Sequence, residues 1–207
     1  HKITFILDKD YQKGSLSQAE IAINFSVPEA AVSNIKLALK NKIPVVCGTT
    51  GWLDKMTEIE KVCLENDSAF LHASNFSIGV NIFFKVNKYL TKLMHKHGSN
   101  YKASINEIHH TKKLDSPSGT AIRLAEDIIR NSEYRKWKLG KQNNDCLQIE
   151  SSRNGDNPGT HSVNYLSKVD EISIKHEAFK RDGFALGAVI AAEWLIDKKG
   201  VFSMDDV

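Results

Sequence analysis

Within fifteen residues, Glu107-Ile108-His109-His110-Thr111-Lys112-Lys113-Leu114-Asp115-Ser116-Pro117-Ser118-Gly119-Thr120-Ala121, the chain gathers two adjacent imidazoles, two ammonium groups, a carboxylate and a Ser-Gly-Thr turn. Histidine exchanges protons near neutral pH, and a cationic neighbour lowers its pKa. His109, His110 and Lys113 therefore offer proton carriers of different acidity on one loop. Ser118, Gly119 and Thr120 lie where a helical pattern begins. Unpaired backbone N–H groups and the helix dipole there favour a carboxylate or phosphate. Gly119 leaves the backbone open to close approach, and Ser116 or Ser118 can act as N-cap. The chemistry expected is proton transfer to or from a bound anion. Each feature alone has a structural reading, as a capped helix start or a surface histidine pair. Their coincidence on one short loop favours function.

Two elements must position this loop. Upstream, Tyr101, Ala103 and Ile105 alternate with Lys102, Ser104 and Asn106, the period of a strand with one buried face. Downstream, Ala121, Leu124, Ala125, Ile128 and Ile129 recur at helical spacing, with Glu126, Asp127 and Arg130 opposite. A loop held between two rigid elements can place reactive groups accurately.

From its beginning the chain alternates strand and helix. Lys2 to Leu7 read as a strand, followed by Asp8-Lys9-Asp10 and a polar loop to Ser17, and Glu20 to Phe25 form a second apolar run. Ser26-Val27-Pro28-Glu29 reads as a capping box opening a helix to about Asn41, with Ala31, Ile35, Ala38 and Leu39 inward. Ile43 to Cys47 are a short buried strand ending in Gly48-Thr49-Thr50-Gly51. A helix facing inward with Met56, Ile59, Val62 and Cys63 follows, and then a strand, Ala69 to Ala73, ending in Ser74-Asn75-Phe76-Ser77. This alternation predicts an α/β fold with a parallel sheet covered on both faces, and ligands at the carboxyl ends of its strands. Ile78 to about His97 reads as a helix with Ile82, Phe83, Val86, Leu90 and Leu93 as its core stripe. Glu133 to Asn144 is charged and loop-like, with Trp137 as an anchor. Leu147 to Ser152, His161 to Leu166 and Glu171 to His176 read as strands of a mixed or antiparallel sheet. Gly183 to Ile196 reads as a last, mostly buried helix.

Composition narrows the class. The 207 residues are 41% hydrophobic and 26% charged, enough for one or two globular domains with real cores. A net charge of +3 is too small to argue for nucleic acid or an anionic membrane. No apolar run approaches the roughly 20 residues of a membrane span. Cys47, Cys63 and Cys146 are odd in number and lack C-x-x-C spacing, so they read as reduced cytoplasmic thiols and form no zinc site.

The stretch Glu107 to Ala121 closely resembles the E-x-H-H-x-x-K-x-D-x-P-S-G-T-A signature of the 4-hydroxy-tetrahydrodipicolinate (dihydrodipicolinate) reductase family. Gly48-Thr49-Thr50-Gly51, Ala73-Ser74-Asn75-Phe76, the R-x-G-x-x-x-G-x-H run from Arg153 to His161 and the closing segment from Gly200 to Val207 are similar to further family patterns. The resemblance implies a Rossmann-like nucleotide domain over 1–77 and 184–207, and an α+β domain for substrate binding and oligomerisation over 78–183. It implies reduction of 4-hydroxy-tetrahydrodipicolinate by NADPH or NADH, in the diaminopimelate route to lysine, by a cytoplasmic homotetramer. By the same resemblance His109 and Lys113 are catalytic, and His110, Gly119 and Thr120 bind the cyclic dicarboxylate. Gly48, Thr49, Thr50, Ala73, Ser74, Asn75 and Phe76 meet the nicotinamide cofactor. Asp8 falls where the family meets the adenosine ribose, and Lys9 where a base can meet a 2′-phosphate. Family members begin with a glycine-rich pyrophosphate turn that this chain lacks, so as written it is expected to bind a dinucleotide poorly. His161 either faces the substrate or caps a turn. Two alternatives remain at this stage. A cysteine-thioester dehydrogenase needs a Cys at a helix start, a place none of the three occupies. A non-catalytic sensor would need no His109 and Lys113 beside an anion site.

Overall fold

The computed structural model describes residues 1–97, 100–140 and 145–207. In chain order, the hairpin β1 (Phe5–Asp8) and β2 (Tyr11–Gly14) is followed by β3 (Ala22–Asn24), α1 (Pro28–Lys40), β4 (Val45–Cys47), α2 (Met56–Glu65) and β5 (Ala69–His72). Then come α3 (Ile78–His95), β6 (Lys102–His109), α4 (Gly119–Arg130), β7 (Lys136–Leu139), β8 (Cys146–Arg153), β9 (Gly159–Leu166) and β10 (Glu171–Ala178). The helix α5 (Asp182–Leu195) and the strand β11 (Gly200–Phe202) close the chain. It divides into two compact units, one of His1–Ile78 with Asp182–Val207 and one of Gly79–Arg181.

The first unit is built on an all-parallel sheet in the order β11-β5-β4-β3. Side chains alternate across a strand, so Val45 and Cys47 point to one layer and Val46 to the other. On one side they join Ala31, Ile35 and Leu39 of α1 and Ile59 and Cys63 of α2. On the other, Val46 and Leu71 meet Phe76 and the Ala188, Ala191 and Leu195 face of α5. Burial on both faces is why the inner strand β4 is wholly apolar. All three cysteines are free and buried.

The second unit is a mixed sheet in the order β10-β9-β6-β8-β7. The central strand β6 runs parallel to β8 and antiparallel to β9. Its buried residues are Ala103, Ile105, Glu107 and His109, so the apolar period continues straight into two chemical groups. Val80, Phe84, Leu124, Ile128, Ile149, Val163 and Tyr165 complete the core beside them. A parallel-sheet Rossmann-like unit with a mixed-sheet α+β unit is the fold class expected from the sequence. No helix among the described residues is long and apolar enough to cross a membrane.

Several local expectations are corrected. Lys2–Leu7 is not an uninterrupted strand leading to a loop; β1 turns back on β2 as an antiparallel hairpin. The capping box at Ser26 does not form: Val27 is the N-cap, without a side-chain bond, because the Ser26 amide and carbonyl are both held by the Thr49 hydroxyl. The inward stripe of α3 is rotated. Phe83 is buried and Leu90 packs on the core as expected, but Ile82, Val86 and Leu93 are exposed, and Val80, Phe84, Asn87, Thr91 and Met94 are buried in their place. Glu133–Asn144 is not all loop, since Lys136–Leu139 pairs with β8 and Trp137 packs on the core; residues 141–144 of that stretch lie outside the described residues. In α5 the buried face is Gly187, Ala188, Ala191, Ala192 and Leu195, and Leu186 and Glu193 are exposed.

Candidate active site

His109 ends β6, and Ser118 caps α4 by accepting the Ala121 amide on its hydroxyl. Between them the loop is stapled from β8 and the turn after it. Arg153 donates to the carbonyls of Lys113 at 3.4 Å and Asp115 at 2.6 Å, and the Thr111 amide donates to Gly155. Such fixing lets a loop hold reactive groups in register.

Glu107 lies at the centre. It is 1% exposed, and its cross-strand partners are His161 on β9 and Ser151 on β8. Its carboxylate accepts the Ser151 hydroxyl at 2.6 Å and the Ser118 amide at 3.1 and 3.2 Å. Arg153 stands 3.9 Å away. Burial by itself would raise the pKa of this carboxyl. The nearby His161 ring, the Ser118 and Ser151 hydroxyls and the Ser118 amide outweigh burial and hold it at about 2. Glu107 is therefore a buried anion held by hydrogen-bond donors.

His109 is 6% exposed, with Nδ1 3.6 Å from Glu107 Oε2 and its ring edge-on to His161 at 4.9 Å. Burial, the His161 ring, Lys113 and Arg153 lower its pKa, Glu107 opposes them, and the result is about 4. At neutral pH His109 is an uncharged imidazole, able to accept a proton. His110 accepts from Arg181 on Nε2 at 2.8 Å. Arginine can only donate, so the His110 hydrogen is on Nδ1. Lys113 pairs with both oxygens of Asp115, at 2.7 and 2.9 Å, and lowers the pKa of that carboxyl.

At the head of α4 the Ser118 and Ala121 amides are engaged. Those of Gly119 and Thr120 have no partner among the described residues, and nothing lies within 4 Å of a Cβ built on Gly119. Two adjacent open amides on the positive end of a helix form an anion seat. Glu107, His109 and His161 could geometrically hold a divalent ion, their ligand atoms lying within 4.8 Å of one another. The carboxylate, however, is already filled by hydrogen-bond donors beside a guanidinium, an arrangement suited to relaying charge between side chains.

Because burial keeps His109, His72 and His176 below the ordinary histidine pKa, folding disfavours their protonation. Stability is thus full above the unfolded value near 6.5 and is lost as pH falls toward the folded one. We expect a loss of up to about 1.4 kcal/mol per pH unit for each such proton. The lowered Glu107 extends the loss from about 4.5 down to about 2. Urea midpoints at several pH values check this; a midpoint unchanged from pH ~7 to ~4.5 would contradict it.

In the first unit β4 and β5 are parallel, so Gly48–Thr50 and Ala73–Phe76 emerge at the same sheet edge. Thr50 and Ser74 are exposed. Thr49 is buried and spent internally: its hydroxyl holds Ser26 and its carbonyl accepts the Trp52 indole at 2.7 Å. A Cβ on Gly48 would strike the Phe25 ring, which packs edge-on against Phe76. Two exposed hydroxyls beside an aromatic pair, at the carboxyl ends of parallel strands, are where such a sheet holds a dinucleotide. Asp8 and Lys9 lie exposed on the β1–β2 turn, on a different sheet, with the Asp8 carboxylate accepting the Lys9 amide.

Residues 2–76 match the family model for the dihydrodipicolinate reductase N-terminus and 79–207 that for its C-terminus. The chain belongs to the dihydrodipicolinate reductase family. It is 51% identical over its whole length to the 4-hydroxy-tetrahydrodipicolinate reductase of Christiangramia forsetii, covering 87% of that protein. It is 36% identical to that of Methanocaldococcus jannaschii, over 92% of this chain and 72% of the relative. In fold it is similar to the dipicolinate-bound dihydrodipicolinate reductase of Paenisporosarcina sp. TG-14. That likeness has a TM-score of 0.73 at 21% identity, over 91% of this chain and 73% of the other. Within this family frame, Glu107 and Arg153 are motif residues to which the sequence alone assigns no site role, and His161 is one it leaves open between substrate contact and turn cap. Carrying the alternation of Ala103 and Ile105 two residues further is the local signal that puts Glu107 on the buried face; nothing local reveals its partners.

Proposed function

We propose that the chain carries the reductase activity of its family: NADPH- or NADH-dependent reduction of 4-hydroxy-tetrahydrodipicolinate to tetrahydrodipicolinate, in the diaminopimelate route of lysine biosynthesis. The observation that carries the reading is the pair of open Gly119 and Thr120 amides beside a neutral His109 and a cationic Lys113. The amides hold one ring carboxylate, aided by the Nδ1 hydrogen of His110. Loss of the hydroxyl as water needs a base for a neighbouring C–H and an acid for the oxygen; His109 is the base and Lys113 the acid. A nicotinamide dinucleotide would be held by Gly48, Thr50 and Ala73–Phe76, with the buried Thr49 shaping the turn behind them, and would supply a hydride. The proton that His109 took then returns to the carbon beside the reduced one, so the net proton consumed is that of Lys113. Asp8 and Lys9, exposed on their hairpin turn, are assigned to the adenosine ribose and its 2′-phosphate. We assign the protein to the cytoplasm as a homotetramer assembled through the second unit's sheet, whose edge strand β10 exposes Ile172.

Two measurements test this. The protein is expected to oxidise NADPH or NADH when given enzymatically generated substrate. A folded protein that binds dinucleotide yet oxidises neither would favour a non-catalytic sensor. The anion seat is tested separately with Gly119→Pro. Proline suits the first helical position, and Ser118, at φ −68° and ψ 157°, already has the extended backbone that a following proline requires. The substitution removes one amide donor and leaves the helix. Dipicolinate should bind about tenfold more weakly by calorimetry, the worth of one hydrogen bond to a charged group. Unchanged affinity would place the carboxylate elsewhere.

A further inference from the structure

We infer that Glu107 is the positioning residue of this site. Its carboxylate sets His109 in the tautomer with hydrogen on Nδ1 and the Nε2 lone pair toward Gly159, and the same carboxylate fixes the amide at the head of α4. The inference rests on the reductase reading for its catalytic consequence.

Nδ1 of His109 is buried without a hydrogen-bond partner among the described residues, and Glu107 Oε2 is 3.6 Å away. At that separation a nitrogen lone pair opposes the carboxylate and an N–H is attracted to it. The contact is beyond hydrogen-bond reach, so charge selects the tautomer. On the ring's other edge, a Cβ built on Gly159 would stand 3.3 Å from Nε2 and 3.4 Å from Cδ2. Glycine at 159, with φ +154°, leaves that edge uncrowded. A lone pair on this edge is what a base requires. The charged and titratable groups facing His109 are Glu107 on its own strand, His161 from β9, Arg153 from β8 and Lys113 from the loop.

Glu107 also reaches the anion seat. Its oxygens share the Ser118 amide, one residue before the open Gly119 amide. His161 closes the circuit, with Nε2 3.6 Å from Oε2 and 3.1 Å from the capping hydroxyl of Ser118. One buried carboxylate therefore governs both the orientation of the base and the position of the donors that hold the substrate. Such supporting partners commonly fix histidine tautomers.

The test is histidine-selective long-range ¹H–¹⁵N NMR on the wild-type protein without substrate, joined to kinetics of Glu107→Gln and Glu107→Asp. His109 should show its hydrogen on Nδ1, and Glu107→Gln should shift it to Nε2 or to a mixture. Because the Gln amide oxygen can still accept the Ser118 amide, Glu107→Gln should lower kcat by about 30- to 100-fold with the Kd for dipicolinate within about threefold, and Glu107→Asp should recover part of the rate. The acid limb of kcat/KM in Glu107→Gln should move to lower pH, because the charge that favours protonated His109 is gone. A part that was only structural would lower thermal stability without moving the tautomer or the limb. An Nε2–H tautomer in the wild type overturns the inference. So does a Glu107→Gln protein that keeps Nδ1–H and has kcat within about threefold of normal. If Glu107→Gln fails to fold, the wild-type spectrum decides alone. Absence of any turnover in the wild type would sink the reductase reading, and the tautomer, measured without substrate, would still decide this one.

Discussion

Replacing His109 by Gln is expected to lower kcat by about a thousandfold, the middle of the range for one proton-transferring group. Glutamine keeps much of the volume and a hydrogen bond but cannot take a proton. The dissociation constant for dipicolinate should stay within about threefold, since the carboxylate is assigned to the α4 amides and not to this ring. Lys113→Ala should cost at least about a hundredfold, because it removes both the acid and a positive charge next to the anion. It also releases Asp115, whose carboxyl Lys113 holds in its ionised form. The pH profile separates His109 from any ordinary histidine. With its pKa lowered to about 4, His109 remains a neutral base as pH falls through the usual histidine range. The acid limb of kcat/KM should therefore appear below about pH 5 and be absent from His109→Gln. Two results would remove His109 from the chemistry: a limb centred near 6.5, or a His109→Gln protein within about tenfold of wild type.

What the sequence disclosed and what it hid divide along the line between local and non-local physics. The alternation around Ala103 and Ile105 and the helical period from Ala121 to Ile129 are set by near neighbours, and both elements are present where the pattern put them. Ser118 as N-cap is equally local. The partners of Glu107 are not. They arise because β9 runs antiparallel to β6 and β8 parallel to it, a register that brings residues 161 and 151 opposite 107. No spacing in the chain encodes that pairing. The rotated stripe of α3 has a related cause. Apolar residues surround much of that helix, so periodicity alone could not rank its faces. The core took the side with Asn87, bonded to the Leu124 carbonyl, and Thr91, bonded to Tyr165. At Ser26 a strong local signal lost to a tertiary one, because the Thr49 hydroxyl satisfies the Ser26 backbone across the strand ends.

Gly187→Ala should be strongly destabilising for a single-methyl change. In most helices Gly→Ala is stabilising by up to about 1 kcal/mol, through propensity and a less flexible unfolded chain. Gly187 reverses the sign. A Cβ there would lie 1.8 Å from the Phe76 carbonyl oxygen and 2.7 Å from its carbon. The obstacle is backbone, so no rotamer change relieves it. Either α5 lifts off the sheet, opening the layer of Ala188, Ala191 and Leu195 against Val46 and Leu71, or the 73–76 loop shifts. We expect a loss of about 2–4 kcal/mol, hence a Tm lower by about 5–12 °C for a chain of this size. Phe76 also packs edge-on against Phe25 in the loop set assigned to the cofactor, so dinucleotide affinity should fall together with stability. Gly183→Ala is the internal control. It lies in the same helix with nothing within 4 Å of its Cβ, and it should be neutral or stabilising by up to about 1 kcal/mol. Calorimetry on both variants decides the matter. If they melt together, the close approach of α5 to Phe76 does not exist in solution. If Gly187→Ala melts early but binds dinucleotide normally, the 73–76 loop is structural and the cofactor is held elsewhere on the sheet edge.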